Sequence, residues 1–170
     1  GLGDVYKRQE ERDLAGRYVC PGFIDSHLHL ESTLVTPAEL VTAASRHGTT
    51  TFIVDPHESA NVSGLAGIDY ILDQTEDVKA NVYVMMPSCV PATAIDDNGC
   101  TLTAEDMVPY LHNSRILGLG EVMDSISVVQ GEKSMHDKLE LFEGRIRDGH
   151  APFLEEGDLQ AYAMAGIATD

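Results

Sequence analysis

The chain alternates between short apolar runs rich in β-branched residues and longer stretches in which apolar residues recur at helical spacing. Runs of the first kind predict β-strands, and stretches of the second kind predict amphipathic helices. The predicted strands cover residues 22–29, 49–54, 81–86, 115–119 and the more polar 145–150, with the beginning of a sixth at 166–170. Strand and helix therefore alternate along most of the chain.

Capping signals place the predicted helices between these strands. Thr36 can cap the first helix, Pro37 suits its first position and Glu39 completes a capping box. Gly48 predicts the end of that helix. Pro109 should shorten or kink the third helix, because proline cannot donate a backbone hydrogen bond. The other helices are predicted over residues 65–74, from Thr103 with Asp106 three residues later, over 135–142 and over 159–165.

This order of elements is typical of parallel βα units, which build either doubly wound sheets or (β/α)8 barrels. Polar residues that could bind a ligand follow strand after strand, and a barrel gathers such strand ends around one axis. No glycine-rich phosphate-binding loop follows the first strand, which argues against a dinucleotide-binding sheet. The sequence therefore predicts an α/β fold, an incomplete (β/α)8 TIM-type barrel of about five and a half βα units. An intact barrel needs about 250 residues, so we expect a fragment.

The first residues of the chain do not share the barrel pattern. Residues 1–9 match nothing that follows and are predicted to be a non-native leader. Residues 13–20 predict a turn and a short strand, which are too small to form a domain, and residues 10–20 are expected to be the last part of something that began earlier. Residues 21–170 are predicted to form the first part of the barrel.

Composition and charge argue against several classes of partner. With 11 basic and 28 acidic side chains the formal net charge is −17, which disfavours binding to a nucleic-acid backbone or an anionic membrane surface. No apolar run reaches transmembrane length, and no signal peptide opens the sequence. Cys20, Cys89 and Cys100 lack C-x-x-C spacing and fit reduced thiols, so we expect a cytoplasmic protein.

Two histidines close the first predicted strand. Side chains at positions i and i+2 of a strand share a face, so His27 and His29 are expected to project together, with Asp25 on the same face. Two imidazoles at the carboxyl end of a strand make half of a metal site. The alternative is a pair of surface histidines near a turn.

Potential ligands also follow the other predicted strands: His57 and Glu58 after the second, Ser88 and Cys89 after the third, Glu121 after the fourth and His150 after the fifth. Three imidazoles and one carboxylate from three different strand ends could bind two divalent cations about 3.5–4 Å apart. Glu121 is the candidate catalytic residue, because a carboxylate can bridge and partly neutralise two close positive charges. Bound cations would lower the pKa of a coordinated water toward neutrality.

Each of these residues also has a plainer interpretation. Glu121 could be a surface acid and His150 a loop histidine, while His57 fits either a pocket or a structural role. Asp55 is expected to orient its neighbours or to cap a turn rather than to bind a metal ion. Cys89 fits a pocket-lining thiol better than a nucleophile, because nothing else in the sequence indicates covalent catalysis.

The residues from Pro21 to His29 resemble the first-strand motif of the amidohydrolase superfamily, which many hydrolases share. Within that superfamily, the chain resembles the adenine deaminases in several further segments. The first two segments are Glu31-Ser32 followed by Thr36-Pro37, and residues 48–58, which end in Asp55-Pro56-His57-Glu58, followed by 60–62. The others are residues 86–93, 117–123 and 148–152. The resemblance extends from about residue 13 to the end of the chain.

The resemblance implies a (β/α)8 barrel beside a smaller β domain built from both chain ends, of which residues 10–20 would be a remnant. It implies a binuclear centre of manganese or iron, in which His27 and His29 bind one ion and His150 binds the other. Glu121 would bridge them, in the place of the carbamylated lysine of many relatives. The residues expected to line the substrate pocket or to support the ligands are Asp25, Glu31, Asp55, His57, Glu58, Ser88 and Cys89.

The implied reaction is the hydrolysis of adenine to hypoxanthine and ammonia, with activated water attacking C6 of the purine, in a protein that forms homo-oligomers. The sequence departs from the family in extent, because the histidine expected just after Asp170, the last strands and most of the small domain are absent. Ser59 and Ser63 also replace expected apolar residues. Two alternatives stay open: a related binuclear amidohydrolase acting on a cyclic amide or another purine, and a non-catalytic metal-binding fragment with exposed sheet edges.

Overall fold

The computed structural model of the protein describes residues 12–93 and 95–168. The strands are β1 Phe23–Leu28, β2 Thr49–Val54, β3 Asn81–Pro87, β4 Ile116–Val122 and β5 Ile146–Gly149. The helices are α1 Pro37–Ser45, α2 His57–Ser63, α3 Leu65–Gln74, α4 Ala104–Met107, α5 Ser125–Gln130, α6 Lys133–Leu141 and α7 Glu156–Met164, with short 3₁₀ helices at Glu31–Thr33 and Val108–His112. None of the helices described is long and apolar enough to cross a membrane.

The five strands form one parallel sheet in the order β1-β2-β3-β4-β5, which is also their order along the chain. A doubly wound sheet reverses its strand order at a switch point, whereas a barrel adds each strand beside the previous one. At least one helix follows every strand. The fold is therefore an incomplete (β/α)8 TIM-type barrel, which confirms the prediction from the sequence.

The buried core joins the central strands to the helices that cover them. Val54, Val84 and Leu119 are fully shielded from solvent, and Ile68 and Ile71 of α3 belong to the same cluster. Burying a valine, leucine or isoleucine side chain contributes roughly 1.5–3 kcal/mol. This packing holds the carboxyl ends of β2, β3 and β4 in fixed relative positions.

The first strand is not buried as predicted. Phe23 and Ile24 are each 65% exposed, because β1 pairs only with β2 among the described strands and forms an edge of the sheet. Between Asp25 and Leu28 the chain of β1 advances three residues, while β2 advances two, from Phe52 to Val54. Such an extra residue is a β-bulge, and it interrupts the alternation of faces on which the placement of Asp25 was based.

The helix starts confirm one capping prediction and contradict another. At the start of α4, the Asp106 N–H donates to Thr103 Oγ1 at 3.3 Å and the Thr103 N–H donates to Asp106 Oδ2 at 2.8 Å. Thr36 is the N-cap residue of α1, but its side chain makes no capping hydrogen bond, so the capping box with Glu39 is wrong. The α-helix α4 ends at Met107 and continues as a 3₁₀ helix that contains Pro109, as predicted.

Several element boundaries also differ from the predictions. The apolar pattern does not predict α2 or α5, because each is short and buries a single residue, Ala60 in α2 and Val128 in α5. Strand β4 runs to Val122, so Glu121 lies within the strand rather than after it. Residues 12–22 contain a turn at 15–16 but no strand, and residues 166–168 form no strand. The predictions for residues 1–9 and 169–170 lie outside the described residues.

Candidate metal centre

Glu121 lies at the centre of a cluster of histidines and carboxylates at the carboxyl ends of the strands. It is 8% exposed. Its Oε1 lies 2.9 Å from His27 Nε2, and its Oε2 lies 3.6 Å from His29 Nε2 and 3.3 Å from His57 Nδ1. The two oxygens of one carboxylate therefore contact three imidazoles that come from two other strand ends.

His27 and His29 present the same ring nitrogen to this carboxylate. The His29 Nδ1–H donates to the backbone carbonyl of Asp55 at 2.7 Å, and because a carbonyl can only accept, the proton is on Nδ1. His27 Nδ1 faces Asp148 Oδ2 at 3.3 Å, and a carboxylate is likewise an acceptor. Each neutral ring then has a free lone pair on Nε2, and the two Nε2 atoms are 3.2 Å apart. Two lone pairs at this distance repel unless a proton or a metal ion lies between them.

Asp55 and His57 form a second group of ligands around Glu121. Asp55 follows β2, is 3% exposed, and has its Oδ1 3.7 Å from His57 Nδ1. The ligand atoms of Asp55, His57 and Glu121 lie within 4.8 Å of one another, as do those of His27, His29 and Glu121. The His29 and His57 rings meet edge to face with centroids 4.6 Å apart. Glu121 therefore belongs to both groups.

Gly120 makes room for the buried carboxylate of Asp55. A Cβ at position 120 would overlap the Asp55 carboxyl group and crowd the Cβ of Met85. The absence of a side chain here lets β2 deliver Asp55 directly beside Glu121. Gly120 thus leaves space for Asp55, and the next residue, Glu121, provides the shared carboxylate.

The unsatisfied atoms of the cluster fit divalent cations. Both carboxylate oxygens of Asp55 and the Nδ1 of His57 are buried and have no hydrogen-bond partner within the described part of the chain. A buried carboxylate without hydrogen bonds is costly unless it binds a proton or a metal ion. Imidazole nitrogen and carboxylate oxygen are a donor set that suits first-row transition metals. The residues present therefore fit two cation positions that share Glu121.

Electrostatic interactions within the cluster favour bound positive charge. The hydrogen bond to Glu121 raises the pKa of His29 to about 9, against the opposing effect of burial. Burial disfavours the ionised form of Glu121, but the hydrogen bond and charge of His29 outweigh it and lower the pKa of Glu121. Burial raises the pKa of Asp55. Burial disfavours charged His57, yet the neighbouring Asp55 outweighs it and raises the pKa of His57.

Glu31 and Glu58 support the segment that carries His57. Glu31 Oε1 accepts hydrogen bonds from the N–H groups of Glu58 at 3.1 Å and Ser59 at 3.3 Å, which lie in the first turn of α2. Ser32 Oγ donates to Glu58 Oε2 at 2.6 Å. An acidic side chain at a helix N-terminus is favourable because the first N–H groups lack helical partners. Since α2 begins at His57, these contacts position its imidazole.

Ser88 and Cys89 contact the end of β4 and belong to neither ligand group. Ser88 Oγ donates to the backbone carbonyl of Glu121 at 2.7 Å. Cys89 Sγ accepts a hydrogen bond from the Asp124 N–H at 3.3 Å. Burial raises the pKa of the Cys89 thiol and so disfavours the reactive thiolate.

His150 and Asp25 lie outside both ligand groups of the described residues. The His150 N–H donates to the Tyr162 hydroxyl oxygen at 3.0 Å, and that hydroxyl donates to the Val122 carbonyl at 2.6 Å. The His150 side chain is exposed, and Asp25 is half-buried in β1. The role of His150 as a metal ligand therefore stays a prediction, as does the supporting role of Asp25.

Asp148 is a functional candidate that the sequence reasoning missed. It lies in β5, and its carboxylate holds the Nδ1 side of His27. The alternation of faces in a strand is a signal that could have found it, because Asp148 and His150 are at positions i and i+2. Histidines that bind metals usually donate their other N–H to a carboxylate or carbonyl, which is the contact that Asp148 makes.

A parallel sheet in barrel order, with histidines and carboxylates gathered at the carboxyl ends of its strands, defines a (β/α) barrel with a candidate divalent-cation centre. Residues 18–170 match the amidohydrolase family. The chain therefore belongs to that family, which generally uses divalent metals.

Several similar proteins are named adenine deaminase. The chain is 61% identical over 170 residues to adenine deaminase from Desulfitobacterium hafniense. It is 46% identical over 170 residues to adenine deaminase 2 from Carboxydothermus hydrogenoformans, and 48% identical over 170 residues to adenine deaminase from Methanoculleus marisnigri. Each alignment covers 100% of this chain and 30–32% of the relative. The chain thus spans under a third of the length of these relatives.

Proposed function

We propose that the full-length protein containing this chain hydrolyses adenine to hypoxanthine and ammonia at a binuclear centre of manganese or iron. The observation that carries the proposal is the position of Glu121 in both ligand groups. A carboxylate shared by two ligand groups suits two close cations, because it can neutralise part of the charge of each. The substrate is taken from the relative from Desulfitobacterium hafniense, which is 61% identical and named adenine deaminase.

Each cation has its own ligands in this proposal. His27 and His29 would hold one cation through Nε2, Asp55 and His57 would hold the other, and Glu121 would bridge them. His150 is the further candidate for the second position. When bound, the cations supply a water molecule of lowered pKa and hence a source of hydroxide near neutral pH.

The residues around the ligands orient them for this chemistry. The Asp148 carboxylate and the Asp55 carbonyl hold His27 and His29 in the tautomer that has its lone pair on Nε2. Glu31 holds the first turn of α2 and so positions the neighbouring His57. His27, His29 and His57 are thus each supported by a contact away from the cation positions.

The test of the reaction is conversion of adenine to hypoxanthine by the full-length protein, supplied with Mn²⁺ in the absence of oxygen. We expect Glu121→Gln to abolish turnover, because the amide has nearly the same shape but no charge to share between two cations. Glu143→Gln is the matched control, since Glu143 is exposed and outside the cluster. Turnover that survives Glu121→Gln would contradict the bridging role. A folded, metal-loaded protein that hydrolyses a cyclic amide but not adenine would favour a related hydrolase.

Metal content distinguishes the two candidates for the second position. We expect His57→Ala to lower the tightly bound manganese of the full-length protein from two ions to one, measured by elemental analysis after dialysis. His112→Ala is the control, because His112 is an exposed histidine at the end of a 3₁₀ helix. A loss of one ion in His150→Ala but not in His57→Ala would assign the second position to His150.

A further inference from the structure

Three charged side chains are buried within the described residues: Asp55, Glu121 and Lys138. The first two belong to the candidate metal centre. Lys138 lies on α6 outside that cluster and is 7% exposed. An ammonium group is costly to bury unless it is hydrogen-bonded or paired, so its contacts indicate why it is there.

The Lys138 ammonium is bound to the turn that follows β3. Its Nζ donates to the backbone carbonyl of Ser88 at 2.6 Å. Burial lowers the pKa of Lys138, and the nearby groups of Cys89, Asp124 and Asp106 act in the opposite direction. The short hydrogen bond to the Ser88 carbonyl thus compensates part of the cost of burying the Lys138 ammonium.

Ser88 connects Lys138 to Glu121. The pairing of β3 with β4 ends with Pro87 opposite Gly120, so the carbonyl of Glu121 lies beyond the last backbone pair. The hydroxyl of Ser88, a residue that is 1% exposed, donates to that carbonyl at 2.7 Å. Ser88 therefore receives a hydrogen bond from Lys138 and donates one to Glu121.

A cavity explains why this turn needs a hydrogen-bonded support. The cavity has a volume of about 320 Å³ and is lined by Ser88, Cys89, Thr103, Asp124 and Lys138 among others. Close packing normally fixes a buried turn, but on the cavity side the protein packs less closely against this turn. The hydrogen bond from Lys138 to the Ser88 carbonyl therefore holds the turn in position on the side where packing does not.

We propose that Lys138 is a positioning residue for the metal centre, which acts through Ser88 on the backbone of Glu121. The inference rests on the centre proposed above and adds to it a residue that touches none of the ligands. A ligand must be held to within about 0.5 Å of its working position. Releasing the Glu121 backbone therefore weakens cation binding without removing a ligand.

Lys138→Met tests this role because methionine keeps the aliphatic stem and removes the ammonium. In the full-length protein titrated with Co²⁺, we expect an affinity about 10- to 100-fold lower than that of the wild type, together with a changed visible absorption spectrum. Lys133→Met is the matched control on the same helix. Lys133 is exposed and pairs with Asp137 one turn away, so its replacement should leave Co²⁺ affinity and spectrum unchanged.

Two further variants separate positioning from general stability. Lys138→Arg keeps a charged donor for the Ser88 carbonyl and should restore the wild-type spectrum. Ser88→Ala breaks the same connection at its second bond. The double variant Lys138→Met/Ser88→Ala should bind Co²⁺ about as weakly as the weaker single variant, because both changes act through one path.

The outcomes distinguish this inference from the proposed centre itself. A folded Lys138→Met protein with wild-type Co²⁺ affinity and spectrum overturns the inference, even if its melting temperature is lower. If Lys138→Met does not fold, Ser88→Ala decides, and an unchanged spectrum there overturns it. If the wild type binds no Co²⁺, or if Glu121→Gln binds it equally tightly, the proposed centre fails instead.

Discussion

At the scale of single residues, the candidate centre depends on hydrogen bonds made by the far sides of its ligands. His29 donates its Nδ1–H to a backbone carbonyl, and His27 faces the Asp148 carboxylate. When the rings are neutral, both contacts leave the Nε2 lone pair available to a cation. A side chain that touches no cation can therefore control cation affinity.

Asp148→Asn should lower the affinity of the full-length protein for Mn²⁺ by about 10- to 100-fold. The amide lacks the negative charge that holds the His27 N–H and increases the basicity of its Nε2. Asp158→Asn, an exposed aspartate on α7, is the matched control. Calorimetric titration measures both, and equal affinities in the two variants would refute the role of Asp148.

The titration of His29 predicts a pH dependence of cation binding. The hydrogen bond to Glu121 raises the pKa of His29 from 6.5 to about 9 in the cation-free protein. Its charge thus stabilises the cation-free fold fully below pH 6.5, and this contribution is lost as the pH rises through 9. A cation needs the neutral ring, so Mn²⁺ affinity should rise by about tenfold per pH unit over this range.

Calorimetry of the full-length protein in buffers with different enthalpies of ionisation checks this expectation. We expect Mn²⁺ binding at neutral pH to release a proton from the site. A pH-independent affinity without proton release would mean that His29 is already neutral.

The part of the site that could be predicted from the sequence consists of residues at the carboxyl ends of the strands. His27, His29 and Glu121 could be grouped from the sequence because parallel strands present their carboxyl ends at one edge. The bulge before Leu28 could not be predicted from the sequence, since the register of β1 depends on its contacts with β2. The bond between Asp148 and His27 spans 121 positions of the sequence, and no local pattern indicates it.

At the scale of elements, the close approach of the Asp55 side chain, which follows β2, to Gly120 of β4 brings the two ligand groups together. Gly120 permits this approach because a Cβ there would meet the Asp55 carboxylate. Barrel order and strand identity were predictable from apolar runs and their short connections. The short helices α2 and α5 were not, because one buried residue in each produces no helical periodicity.

Gly120→Ala should destabilise the fold and disturb the second cation position. Forcing an extra methyl group into a packed site costs about 1–3 kcal/mol, and here the methyl group displaces a ligand as well. We expect a lower melting temperature and the loss of one Mn²⁺ ion per full-length chain. Gly157→Ala in α7 is the matched control, because its new Cβ meets nothing within 4 Å. Retention of both ions in Gly120→Ala would contradict the crowding argument.

At the scale of the whole molecule, the described sheet has two open edges, β1 and β5. Unpaired strand edges are templates for pairing with another chain, especially when apolar side chains lie beside them. Phe23 and Ile24 on β1 are each 65% exposed. The chain also spans only 30% of the length of its relative from Desulfitobacterium hafniense.

We therefore expect the isolated 170-residue chain to self-associate through the β1 edge. Ile24→Lys should raise its monomer fraction, because a charged edge disfavours pairing with another strand. Ile126→Lys is the control, since Ile126 is also 65% exposed but lies on α5. Light scattering coupled to gel filtration measures both variants. An equal effect of the two substitutions would indicate general solubility rather than edge pairing.

The order of the strands in the sheet has a consequence for how the protein is made. Because each strand pairs with the one synthesised just before it, the sheet can grow in step with the emerging chain. The donors of the cluster, however, are spread from β1 to β4, and the carboxylate that orients His27 is in β5. A nascent chain acquires the shared carboxylate only with its fourth strand, so we expect the complete candidate site to form after these strands and not to guide their assembly.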